Sequence, residues 1–103
     1  MKRYKFRARV SLDSQAASAL EALSPGSACR MMIRGLYPET GASRFFSALV
    51  TTSADRVAGD SHIIVVVTVI GDDAGDYLGV GEDFAVWRGH DIGHGVVTRR
   101  VFV

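Results

Sequence analysis

The chain of 103 residues holds a single cysteine, Cys29, so no internal disulfide can staple it. It also lacks an excess of charge. Twelve Lys and Arg against eleven Asp and Glu leave a formal net charge of +1, which excludes a protein that binds nucleic acid through overall basicity. No apolar run is long enough for a bilayer. The longest, Ile63 to Ile70 broken only by Thr68, falls well short of the roughly 20 residues that a spanning helix needs and reads as a buried strand. There is no phosphate-binding loop of the G-x-x-x-x-G-K-[ST] kind, no G-x-S-x-G nucleophile elbow, no repeat, no low-complexity tract and no interdomain linker. The basic amino-terminal residues lead into an alternating strand instead of an apolar stretch, so no secretory signal is expected and the expected location is the cytoplasm.

What is present is an ordinary globular composition, 48% hydrophobic and 22% charged, read as one β-barrel domain over residues 1–103 with one core. Tyr4, Phe6, Ala8, Val10 and Leu12 alternate with Lys5, Arg7, Arg9 and Ser11, the clearest period-2 pattern in the chain, which predicts a first strand with a basic outer face. Further strands are predicted over Cys29–Arg34, Arg44–Thr51, His62–Ile70, Asp83–Arg88 and Gly93–Val103. Asp13 or Ser14 is positioned to cap a short helix through Ala16, Ala17, Leu20 and Leu23, ended by Pro25-Gly26; a structured loop is the alternative.

In the closing hairpin, Phe84 and Val86 alternate with Asp83, Ala85 and Trp87. Val97, Arg99 and Val101 alternate with Val96, Thr98, Arg100 and Phe102, which places Arg99 and Arg100 on opposite faces. Gly93 and Gly95 weaken the returning strand unless a bulge, a bend or a close backbone approach uses them. Short strands separated by Gly, Pro, Asp and Ser clusters, with that glycine kink, predict an all-β fold: a closed six-stranded antiparallel barrel.

Charge is segregated along the chain. Lys2, Arg3, Lys5, Arg7 and Arg9 come without an acid, and Asp72, Asp73, Asp76, Glu82 and Asp83 without a base, so the molecule is expected to be a charge dipole. His90, Asp91 and His94 lie within five residues, but the strand boundary separates them and no second cluster completes a zinc site. Asp72-Asp73-Ala74-Gly75-Asp76 has the wrong spacing for a calcium loop and reads as a solvated acidic turn. Asp60 and His62 stand two apart without a nucleophile. No metal, cofactor or catalytic activity is therefore expected. Cys29, Met31 and Ile33 share one strand face and read as core. Trp87 reads either as an outward recognition residue or as a ring that seals one barrel end or packs beneath Ser14–Leu23.

Three ordered blocks resemble the C-terminal β-barrel domain of elongation factor Tu. Gly81, Phe84, Ala85, Val86, Gly89, Ile92, Gly93, Gly95, Val96, Val97 and Thr98 match its closing hairpin. Val57-Ala58-Gly59-Asp60 with the strand Ile64–Ile70 is similar to its Pro-Gly-Asp turn and Val-Val-Thr-Leu-Ile strand, and Lys5-Phe6-Arg7-Ala8-Arg9-Val10 to its opening Lys-Phe-x-Ala-x-Val. The departures are a missing proline and one extra residue at the turn, a hairpin at Arg88–Asp91 one residue shorter, and the unrelated Ser14–Leu23 where the family carries Gly-Gly-Arg-His-Thr-Pro-Phe-Phe. With no GTPase domain, the resemblance implies a stand-alone domain without GTPase activity. It also implies tRNA, another structured RNA or a translation-linked protein as partner, with Lys5, Arg7, Arg9, Arg99, Arg100 and the Trp87-Arg88-Gly89 turn as binding residues. The alternative is a protein-interaction or homo-oligomerisation domain that uses Trp87 and Phe45 or Phe46. No membrane partner is expected.

Overall fold

A computed structural model describes residues 3–13, 15, 28–37, 39–52 and 62–101. Six strands, β1 (Arg3–Leu12), β2 (Cys29–Leu36), β3 (Ser43–Thr52), β4 (His62–Ile70), β5 (Asp83–Trp87) and β6 (Asp91–Val101), close into a barrel in the order β1-β4-β3-β2-β5-β6. Every pairing is antiparallel. The predicted all-β closed barrel is therefore the fold.

Alternation decides which side chains fill it. On β1, Tyr4, Phe6, Ala8 and Val10 point inward and are buried. Met31 and Ile33 of β2, Phe46, Ala48 and Val50 of β3, and Ile63, Val65, Val67 and Val69 of β4 meet them from the other walls. Each fully buried Val, Ile or Phe contributes roughly 1.5–3 kcal/mol relative to exposure, so the β4 run that looked like a continuous apolar segment is a major share of the core. Its outward residues, Ile64, Val66 and Thr68, are only half-buried.

Small residues let the barrel narrow. A Cβ on Gly95 would lie 2.6 Å from the Phe84 ring and 2.7 Å from Val10, and one on Gly93 would lie 2.2 Å from the Ser11 carbonyl oxygen. The glycines of β6 are thus sites of close approach, the condition on which the sequence made them tolerable.

Several boundaries differ from the sequence expectation. β2 runs on to Leu36 because Gly35 still pairs with Phe84 on one side and Arg44 on the other. β5 stops at Trp87, and β6 starts at Asp91, opposite it. The turn between them is closed by the Arg88 N–H, which donates to the His90 carbonyl at 2.9 Å, and Gly89 takes the left-handed backbone, φ 79°, that this reversal requires.

One expectation is corrected. Val97, Arg99 and Val101 do not share a face, because the β1–β6 pairing slips by one residue: Ala8 lies opposite Val97, but Arg7 lies opposite Arg99. Thr98 is the extra residue of this β-bulge, and its hydroxyl donates to the Arg7 carbonyl oxygen at 2.9 Å. Val97 consequently faces the core, Arg99 sits outside beside Arg7, and Arg100 lies opposite the inward-pointing Phe6.

The acidic turn is also more ordered than expected. Asp73 precedes a four-residue helix, α1 (Ala74–Tyr77), whose Ala74 and the following Leu78 are fully buried. They close the barrel end at which β1 begins. The Tyr4 hydroxyl donates to the Leu78 carbonyl at 2.7 Å, and Arg44 forms an ion pair with Asp73. The helix expected over Ala16–Leu23 and the Val57–Asp60 turn lie outside the described residues.

Candidate functional site

Among the described residues, the outer face of β1 carries a row of cations, of which Arg9 is exposed and Lys5 and Arg7 are half-buried. Lys5, Arg7 and Arg9 occupy successive outward positions, about 6.6–6.8 Å apart along a strand. The bulge adds Arg99 from β6 directly across from Arg7. The cluster thus draws on two strands far apart in sequence, and only barrel closure brings them together. On the β4 side, Arg7 and Arg9 lie opposite Val66 and Ile64. Lys5, Arg9 and Arg99 have no hydrogen-bond or ion-pair partner among the described residues.

Like charges held directly opposite each other across a strand pair destabilise the sheet, and a bound anion relieves that repulsion. The arrangement of Arg7, Arg99, Lys5 and Arg9 therefore suits a ligand with several negative charges spread along a line.

The other sequence candidates fall elsewhere. Arg100 turns to the inner side at the barrel mouth, where its guanidinium carbon lies 5.1 Å from the centroid of the Tyr4 ring. Burial pushes the Tyr4 phenol above its ordinary pKa of 10.0, and the nearby Arg100 charge opposes that rise. Arg88 and Gly89 are exposed in the β5–β6 turn, at the end opposite α1. Trp87 lies on the outer face of β5 with its ring edge-on to Phe45, the centroids 5.7 Å apart. Of the two phenylalanines, Phe45 is the outward one; Phe46 is buried, with Arg44 stacked over its ring.

His90 is in the turn and exposed, whereas Asp91 and His94 are exposed on β6, His94 between Ser11 and Ala85. No three His, Cys, Asp or Glu side chains gather into a metal-binding group among the described residues. Asp60 and the His62 side chain lie outside them. Asp72, Asp76 and Asp83 are exposed around the end that α1 closes, while the basic row runs along the flank. The separation of charge is only partial, because Arg44 pairs with Asp73 and Arg100 lies over Tyr4 at that same end.

A scan against protein-family models finds no match, and the curated proteins contain no significant match to the chain.

Sequence reasoning overlooked the outward residues of β2. Reading Cys29, Met31 and Ile33 as core was sound, since Met31 and Ile33 are buried and Cys29 packs half-buried against them. The same alternation puts Arg30, Met32 and Arg34 outside, and that signal was available. What it could not supply was their neighbours, Ser47 and Phe45 on β3 and Trp87 and Ala85 on β5.

Proposed function

We propose that this barrel is a binding module that holds structured RNA, with tRNA as the first candidate, against the outer face of β1 and β6. The observation that carries the reading is the cross-strand set of Lys5, Arg7, Arg9 and Arg99 on one face of a closed barrel. RNA helices are engaged mainly through phosphates and 2′-hydroxyls, so a row of cations on a rigid wall is sufficient and no base-reading groove is required. The likeness of the opening strand and the closing hairpin to the C-terminal barrel of elongation factor Tu supports RNA over other polyanions, and a translation-linked role over others.

The test is a titration of tRNA and of a structured RNA hairpin across a range of salt. Each neutralised phosphate contributes about −0.7 to −0.9 to the slope of log affinity against log salt, so four contacts give about −3 to −4. The double variant Arg9→Ala, Arg99→Ala should lower that slope in magnitude by about 1.4–1.8, weaken different RNA sequences alike, and leave the melting temperature nearly unchanged. Absence of RNA binding at low salt, or a slope that the variant does not alter, overturns the proposal. The sequence contains no G-x-x-x-x-G-K-[ST] loop, so calorimetry with GTP should show no saturable heat.

A further inference from the structure

The order of strands around the barrel puts β1 three steps from β2 in either direction, so the outer faces of these two strands look away from each other. The β2 side is built differently. Met32, Phe45 and Leu49 are exposed there at 36%, 44% and 41%, and Trp87 reaches over from β5 to pack edge-on against Phe45. Beside them a depression of about 280 Å³ opens over Ser47, the short side chain in the outward row Phe45, Ser47, Leu49. The depression spans β3 and β4, with Leu49 and Ile70 as apolar walls, Arg30 of β2 at one rim and Arg3, at the start of β1, at the other. Neither arginine has an ion-pair partner among the described residues, and the same is true of Arg34, between Phe45 and Ala85.

We infer that this face docks a protein partner through an acidic segment carrying a large apolar side chain. The apolar side chain enters the depression over Ser47, and the flanking carboxylates meet Arg3 and Arg30. Charge complementarity selects the occupant. A second copy joined by a twofold axis through β2 would set Arg30 and Arg34 against their own copies, a like-charge contact in the middle of the interface. A single-stranded nucleic acid would use free ring faces for stacking, whereas Phe45 and Trp87 are engaged with each other and the surrounding Met32, Leu49 and Ile70 are aliphatic. Each strand is paired on both sides over part of its length, and the groups that set this face apart are side chains, so recognition is assigned to them.

Trp87 is the only tryptophan in the chain and stands on this face, so its fluorescence reports occupancy directly. The probes are short synthetic peptides in which glutamates flank a leucine or a phenylalanine, their glutamine counterparts, and oligouridine. A saturable change in Trp87 emission with the glutamate peptides is expected. The double variant Arg3→Gln, Arg30→Gln should weaken it about tenfold, the combined worth of two solvent-accessible ion pairs. Leu49→Ser should weaken it independently, and melting curves should show both variants folded. Arg9→Ala with Arg99→Ala should leave it unchanged, which separates this face from the RNA-binding one. The inference is overturned by absence of a saturable change, by equal affinity for the glutamine peptides, by tighter binding of oligouridine, or by a concentration-dependent emission change without peptide that tracks dimer formation in light scattering.

Discussion

Single atoms decide several properties of this barrel, and Gly95 is the clearest. Its missing Cβ leaves room for the Phe84 ring and Val10, so Gly95→Ala should destabilise by about 1–3 kcal/mol through overpacking. A thermal melt checks this, and Phe84→Leu in the same chain should recover part of the loss. Tyr4 is the second case. Its neutral phenol donates to Leu78, and burial raises its pKa above 10.0, so the folded state holds the proton more tightly than the unfolded chain. The stability this provides is complete below pH of about 10 and is lost as pH rises through the folded pKa. Tyr4→Phe should therefore flatten the decline of stability measured between mildly alkaline and strongly alkaline pH. At neutral pH it should cost about 0.5–1.5 kcal/mol, the net worth of one hydrogen bond. Both residues were legible in part: the glycine announced a close approach, and the Tyr4 position announced burial. Their partners, Phe84 and Leu78, lie far along the chain and were not.

Among the elements, the connection from Gly71 to Glu82 does more than join β4 to β5. α1 lays Ala74 and Leu78 over one end of the core, Tyr77 packs edge-on to Phe46 at 5.6 Å, and Gly35 leaves space for the Tyr77 side chain. Leu78→Ala should cost about 2–5 kcal/mol, measured by denaturant unfolding, as expected for a fully buried leucine whose site collapses only partly. Sequence could not reveal α1 because four residues are too few to show a helical period. The strands, by contrast, were legible from alternation, which follows from having one wet and one dry face. The bulge at Thr98 was not, since a one-residue slip depends on the partner strand and leaves no mark in the local pattern. That slip decides the candidate site: without it, Arg99 would share the face of Val97.

At the scale of the molecule, closure makes the six strands one cooperative unit, with each of them hydrogen-bonded on both sides. Native-state amide exchange should accordingly show slow protons in every strand lost together with global unfolding, whereas the Arg88–His90 turn should exchange readily. Barrel closure was inferred from strand count and glycine placement; the order of strands was beyond inference, because β1–β4 and β2–β5 are not consecutive pairs. Yet that order sets which faces look away from each other. The seam between β1 and β6 carries one more consequence. β1 precedes its partner β6 by most of the described sequence, so β1 waits with that flank open until β6 has been synthesised. Arg99 reaches Arg7 only when that seam zips. A half-folded chain would carry the same arginines without the surface they form, and the cationic patch becomes a signature of a zipped seam.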